Sequence, residues 1–94
     1  MQFEWNARKD RRNQLKHRVS FETATLVFSD PHALSLPDRI EGEEERWHTI
    51  GMANGILLLL VAHTYRDTED DERIRIYSAR KATPRERQVY EENL

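Results

Sequence analysis

The sequence predicts an α+β fold: a small antiparallel sheet with two N-terminal helices packed on one face and a helix at the C-terminus, in the order β-α-α-β-β-β-β-α. Three observations carry this expectation. After Ser20, the residues Phe21, Ala24, Val27 and Phe28 recur at helical spacing and make one apolar stripe. Further on, Asn54-Gly55 separates two apolar runs, the pattern of a tight hairpin, because both residues tolerate the positive φ such turns require. Near the end, the alternating run RIRIY is followed by Thr83-Pro84-Arg85-Glu86, which places a capping residue, a proline at the first helical position and a glutamate at the third.

Taken in order, Gln2 to Trp5 reads as a short first strand, and Asn6 can cap a helix to about His17, with Leu15 and Val19 one turn apart. Ser20 caps the second helix. Pro31 ends that helix, because it disfavours helical backbone at Asp30. The stretch ALSL alternates like a brief strand, and PDRIEGEEE, rich in turn-formers and acids, reads as a loop. The hairpin pairs Glu45 to Met52 with Ile56 to Tyr65, whose second arm is apolar on both faces and so belongs near the middle of the sheet. RDTEDDE reads as an acidic loop. In the strand Arg73 to Ala79, Ile74 and Ile76 face one way and Arg73, Arg75 and Tyr77 the other. The last helix starts at the Thr83 cap.

With 94 residues the chain has room for one domain, 1–94, and one core. Its hydrophobic share of 37% and charged share of 34% imply a thin core that leaves part of the sheet uncovered. The absence of cysteine excludes disulfides, thiolate metal sites and a cysteine nucleophile. The longest apolar run, Ile56 to Ala62, is too short to cross a bilayer, and the N-terminus lacks the apolar centre of a secretion signal, so a soluble cytoplasmic protein with no membrane partner is expected.

The formal net charge of -2 conceals an uneven distribution. Residues 1–18 hold six Lys/Arg against two Asp/Glu, residues 19–72 hold three against twelve, and residues 73–94 hold six against three. Folding can bring the two basic ends together, and screening confines the influence of the acidic middle to about 8 Å. Arg75 on an open sheet face, with Arg80, Lys81 and Arg85 near a helix N-terminus, suits a phosphate. Pairing of these cations with the acids of EGEEE or EDDE is the alternative reading. Tyr77, on the same face as Arg75, can stack on a base.

The histidines His17, His32, His48 and His63 fall at intervals of about fifteen residues, unlike metal ligands, so no metal is expected. His48 and His63 lie on the two arms of the hairpin and Glu45 at its start, and all three are candidate proton carriers. No glycine-rich phosphate loop, nucleophile elbow or paired-carboxylate motif is present, and no cofactor is expected. Arg8, Arg11, Arg12 and Lys16 would suit direct DNA binding by the first helix, but no helix-turn-helix glycine turn follows them.

Three segments, FEWN..K...N..KH.VSFE.A..VF.DP from Phe3, GEEERW..IG from Gly42 and RIRIYSARKAT..ER..YE from Arg73, together resemble the BrnT toxins of bacterial type II toxin–antitoxin systems. The resemblance spans nearly the whole chain. It departs from the family pattern at Asn6, where an aspartate is usual, and at Arg18, where a glycine is frequent. It implies a RelE-like fold and a ribonuclease that cleaves RNA without metal, neutralised by a BrnA antitoxin of ribbon-helix-helix type through which the complex binds its promoter DNA. On this resemblance Arg80 is the first candidate for phosphate stabilisation, with Arg66 and Arg75 in support, and His48 and Glu45 are candidate acid–base groups. Lys16, His17, His63, Tyr77, Lys81 and Arg85 are the candidate RNA contacts. The competing reading is a non-catalytic module that binds a partner through the open sheet face and the last helix, with Val89, Tyr90 and Leu94 at the interface.

Overall fold

The computed structural model of the chain describes residues 1–67 and 71–94, without the side chain of residue 67. Its elements run β1 (Gln2–Glu4), α1 (Ala7–His17), α2 (Phe21–Thr25), a 3₁₀ turn (Leu26–Ser29), β2 (Leu34–Glu41), β3 (Glu44–Ala53), β4 (Leu57–Asp67), β5 (Glu72–Lys81) and α3 (Pro84–Glu92). The strand order is β1-β5-β4-β3-β2. Strands β2 to β5 form the antiparallel meander expected from the sequence, but β1 pairs with β5 in parallel, so the sheet is mixed. The chain has to pass through two helices and three strands before β5 is laid beside β1, and nothing local encodes that direction.

Local chemistry accounts for the element ends. Asn6 and Ser20 accept hydrogen bonds from the backbone N–H of Lys9 and Thr23, and Thr83 and Glu86 form the reciprocal capping box. Asn54 and Gly55 both take positive φ, 55° and 68°, at the β3–β4 turn. The segment 37–41, expected as loop, instead extends β2. It passes Pro37, takes a bulge around Asp38 and continues in register with β3 to Glu41, where Gly42 at φ 65° turns the chain. A proline can sit there because β2 is an edge strand, so its missing N–H faces away from the ladder. The expected acidic loop after Tyr65 lies in part outside the described residues.

Phe21, Ala24 and Val27 are fully buried against Leu59, Val61, Ile74, Ile76 and Ala79, forming the main core on one face of the sheet. Gly51 permits the close approach of the 3₁₀ turn: a Cβ there would lie 2.8 Å from Val27 Cγ1. Leu15, expected to pack with Val19, is instead 87% exposed, and α1 docks through the buried side chain of Asn13. On the opposite face, α3 covers only one end, where Tyr90 packs on Ile50, Leu58 and Leu60. There the Tyr90 hydroxyl donates to Asp30 at 2.7 Å, which pushes the phenol up to about 12. No helix among the described residues is long and apolar enough to cross a membrane.

Between α1 and α2, Arg18 adopts φ 59° and donates its N–H to Gln14. A side chain in this left-handed region is strained, and glycine is the usual solution. Replacing Arg18 by glycine is therefore expected to raise stability by about 0.5–1 kcal/mol, after allowing for the greater freedom of glycine in the unfolded chain. The midpoint of urea unfolding measures this, and a lower midpoint would contradict it.

Candidate active site

Register places the polar side chains of the uncovered face in transverse rows, because paired residues on neighbouring strands share a face. One row runs Arg46, Thr64, Arg75 and Glu4 across β3, β4, β5 and β1. The next runs Leu36, His48, Ala62 and Ser78, and the third Leu34, Ile50, Leu60 and Arg80. The small residues Ala62 and Ser78 make the middle row shallow, so the cations of the rows on either side border a trough.

Tyr77 has no partner in this register, since pairing passes from Ala62–Ser78 to His63–Ile76. It is the extra residue of a β-bulge, which releases its ring from the strict alternation of the strand. The Arg46 guanidinium carbon lies 3.8 Å from the ring centroid, with Lys9 Nζ at 5.1 Å and the Arg75 guanidinium at 5.9 Å. Its hydroxyl donates to Glu44 at 3.0 Å. Tyr77 is thus a platform on which three cations assemble, and Arg46 occupies one of its faces, which leaves less of the ring for the base stacking expected from the sequence. Beside it, a cavity of about 220 Å³ is lined by Lys9, Arg12, Asn13, Lys16 and His17 of α1 and by Tyr77 and Ser78 of β5.

The expected site residues divide around this groove. Arg75, Tyr77, Lys16 and His17 border it, and His48 stands on the same face with its Nε2 3.4 Å from Asp38. Arg66 also lies on this face, at its rim. With Arg75 it flanks the Glu4 carboxylate, at 4.0 Å and 3.9 Å, distances at which an exposed pair contributes little. Arg80 projects from the same face but binds Glu86 through two hydrogen bonds of 2.7 Å and 2.9 Å, and this pairing holds the Glu86 carboxyl down to about 2. A guanidinium neutralised in this way braces the start of α3 and has less charge to offer a phosphate. Arg85 is exposed beyond it, near His48.

Three expectations are corrected. His63 is fully buried on the helix-covered face, between Phe28 and Tyr65, with Nε2 2.6 Å from the Thr49 hydroxyl, and cannot touch RNA. Burial pushes its pKa down to about 4, so the ring is neutral at physiological pH. Glu45 points to that same side of the sheet, near Trp47, Tyr65 and Glu72, and does not meet His48 or Arg75. Lys81 pairs with Leu59 and so faces away from Arg80 and the groove.

Sequence reasoning left out Lys9 and Arg46, and weighed Arg12 only as part of a DNA-binding helix. The signal was present: Lys9, Arg12 and Lys16 recur at helical spacing, and Arg46 precedes His48 by the two-residue period of a strand face.

A family model described as the ribonuclease toxin BrnT of type II toxin–antitoxin systems matches residues 5–86. The chain belongs to the BrnT family. The crystal structure of the Brucella abortus ribonuclease toxin BrnT is similar over 88% of this chain and 97% of that one, with a TM-score of 0.69 and 24% sequence identity. At that identity the likeness establishes the fold, which is consistent with the RelE-like arrangement expected. No curated protein matches the chain. Membership of the BrnT family makes RNA the substrate class and an antitoxin the partner class.

Proposed function

We propose that the chain is an endoribonuclease toxin whose groove beside Tyr77 holds the RNA backbone for cleavage without a metal ion. The observation that carries this reading is the gathering of Lys9, Arg46 and Arg75 around one ring, next to the Arg12 and Lys16 side of α1. Cations fixed before the substrate arrives stabilise the extra negative charge of a pentacoordinate phosphorus without reorganising at the moment of reaction. The ribose 2′-oxygen forms a bond to phosphorus as the bond to the 5′-oxygen breaks, leaving a 2′,3′-cyclic phosphate and a 5′-hydroxyl. One group must take the 2′ proton and another must return a proton to the leaving oxygen. His48 and His17 flank the trough from β3 and α1, and we assign these transfers to them; Asp38 orients the first. Arg66 and Arg85 extend the basic surface along which the strand runs, while Arg80, paired with Glu86, braces the start of α3.

The partner in this reading is a BrnA-type ribbon-helix-helix antitoxin, DNA is contacted only through that antitoxin, and the activity belongs to the bacterial cytoplasm.

Purified protein incubated with RNA in excess chelator tests the chemistry. The wild type is expected to cleave and to leave cyclic phosphate ends, while Arg46→Ala and Arg75→Ala, each checked for folding by circular dichroism, lose about 100-fold in rate. Cleavage that requires added metal, or variants as fast as the wild type, would refute the assignment.

A further inference from the structure

The basic groove leaves one feature of the same face unexplained. Between α3 and the sheet lies a cavity of about 300 Å³ with Leu36, Ile50 and Leu60 of three successive strands as its floor and Val89 of α3 as its wall. Leu36 and Val89 are 41% and 37% exposed, so this apolar surface opens to solvent. A phosphate backbone has no use for such a lining. Its rim, however, is polar: His48, Thr83, the exposed Arg85 and Glu86, whose carboxylate is held by Arg80, stand at its edge, and the row of Arg46 and Arg75 continues beyond His48.

We infer that this slot is where the antitoxin docks, through an amphipathic helix that seats apolar side chains between Leu36 and Val89 and turns carboxylates toward Arg85 and the groove cations. The inference rests on the toxin reading above and names the surface by which that activity is blocked. Charge complementarity selects the occupant. Among the described residues the groove cations Lys9, Arg12 and Lys16 have no carboxylate partner within ion-pair distance, so a segment that covers them must bring its own acids. The slot also argues for a helix over an added strand. The neighbouring edge, β2, carries Pro37 and the bulge at Asp38, which remove a donor and twist the edge away from a pairing chain. A helix needs no backbone hydrogen bonds from its host, only a groove for its apolar stripe. Seated there, it lies over His48 and excludes RNA from the trough.

Binding of the purified product of the neighbouring open reading frame, followed by titration calorimetry, tests this. Val89→Glu and Val89→Lys each place a charge in the slot from α3, outside the row of His48 that forms the trough. Each is expected to weaken binding by about 30-fold or more, while free protein carrying either change cleaves RNA as the wild type does and is not silenced by the antitoxin. Leu15→Glu, at an exposed apolar position on α1 away from the slot, is the control and should bind normally. Unchanged affinity in both slot variants overturns the docking site while leaving the ribonuclease reading intact. A wild type that cleaves RNA but does not bind the neighbouring product overturns the docking site and the partner assignment together. A wild type that binds but cleaves nothing removes the activity reading alone, and the slot variants then still decide the docking site.

Discussion

Asn13→Ala is expected to destabilise the fold by about 3–5 kcal/mol, a large part of the roughly 5–15 kcal/mol available to a domain of this size. Asn13 is a polar residue of a polar helix, yet it is buried, and its amide does the work of a missing strand. β1 ends at Glu4, opposite Arg75, so the outer edge of β5 beyond that point has no neighbour in the sheet. There the Asn13 Nδ2 donates to the Ala79 carbonyl at 2.8 Å, and Oδ1 accepts from the Ala79 N–H at 3.2 Å. The same Nδ2 also donates to the Val19 carbonyl at 2.8 Å, which fixes the turn between α1 and α2. Truncation leaves three backbone groups unpaired in a dry place, each costing about 1–3 kcal/mol, though not additively. Denaturant unfolding of the variant checks the magnitude. A loss below about 1 kcal/mol would mean that water or a relaxed helix replaces the amide. Because Lys9, Arg12 and Lys16 reach the groove from the helix that Asn13 anchors, the same substitution should depress RNA cleavage more than any change in global folding accounts for.

Asn13 also marks the boundary of what could be read without coordinates. Periodicity revealed the apolar stripe of α2, the hairpin at Asn54-Gly55 and the start of α3 at Thr83, because each is fixed by residues three or four positions apart. The parallel pairing of β1, the bulge at Tyr77 and the strand character of Pro37 to Glu41 depend on which segments meet across the sheet, and local preference in PDRIEGEEE points the other way. The site followed the same division. Arg75, Tyr77, Lys16 and His17 were legible as basic or aromatic residues on exposed faces, whereas the burial of His63 follows from Phe28 arriving over it from a distant turn. Arg80 looked free in the sequence, and only the capping geometry of Glu86, six residues on, brings its carboxylate onto the guanidinium.

The two faces of the sheet divide the labour of the molecule. One is closed by α2 and the 3₁₀ turn, with α1 docked along the outer edge of β5, and supplies the stability. The other is left mostly open and is covered at one end by α3, so its cations are displayed on the floor that β3, β4 and β5 form. The acidic middle of the sequence reaches Arg46 through Glu41 at 3.3 Å, but among the described residues it makes no ion pair with Lys9, Arg12 or Lys16. Glu41 meets Arg39 and Arg46 on the β2–β3 ribbon, Asp71 meets the N-terminus, and Glu45 and Glu72 lie on the helix side of the sheet. A chain of negative net charge therefore presents a positive groove, and cleavage should weaken steeply with added salt as phosphate contacts are lost.

The closed face should also make the protein acid-sensitive through His63. The unfolded chain holds this imidazole near its ordinary pKa of 6.5, whereas burial brings it to about 4 in the fold. Its contacts are Thr49, Phe28 and Tyr65, none of them an anion that would welcome a proton. Between these two values the unfolded state binds a proton that the native state does not, so stability rises with pH across the window. The contribution is fully present above pH 6.5 and is lost as the pH falls to about 4, a change of about 3 kcal/mol for this residue alone. The carboxyl of Glu86, held to about 2, loses its share at lower pH and does not obscure the effect. Urea unfolding at pH 7.5, 5.5 and 4.5 should show the decline in the wild type. His63→Gln, which keeps a polar group near Thr49 but cannot titrate, should be less stable at pH 7.5 and show a much flatter dependence. An equal slope in the two proteins would place the acid sensitivity elsewhere and would mean that water reaches His63 beneath Phe28.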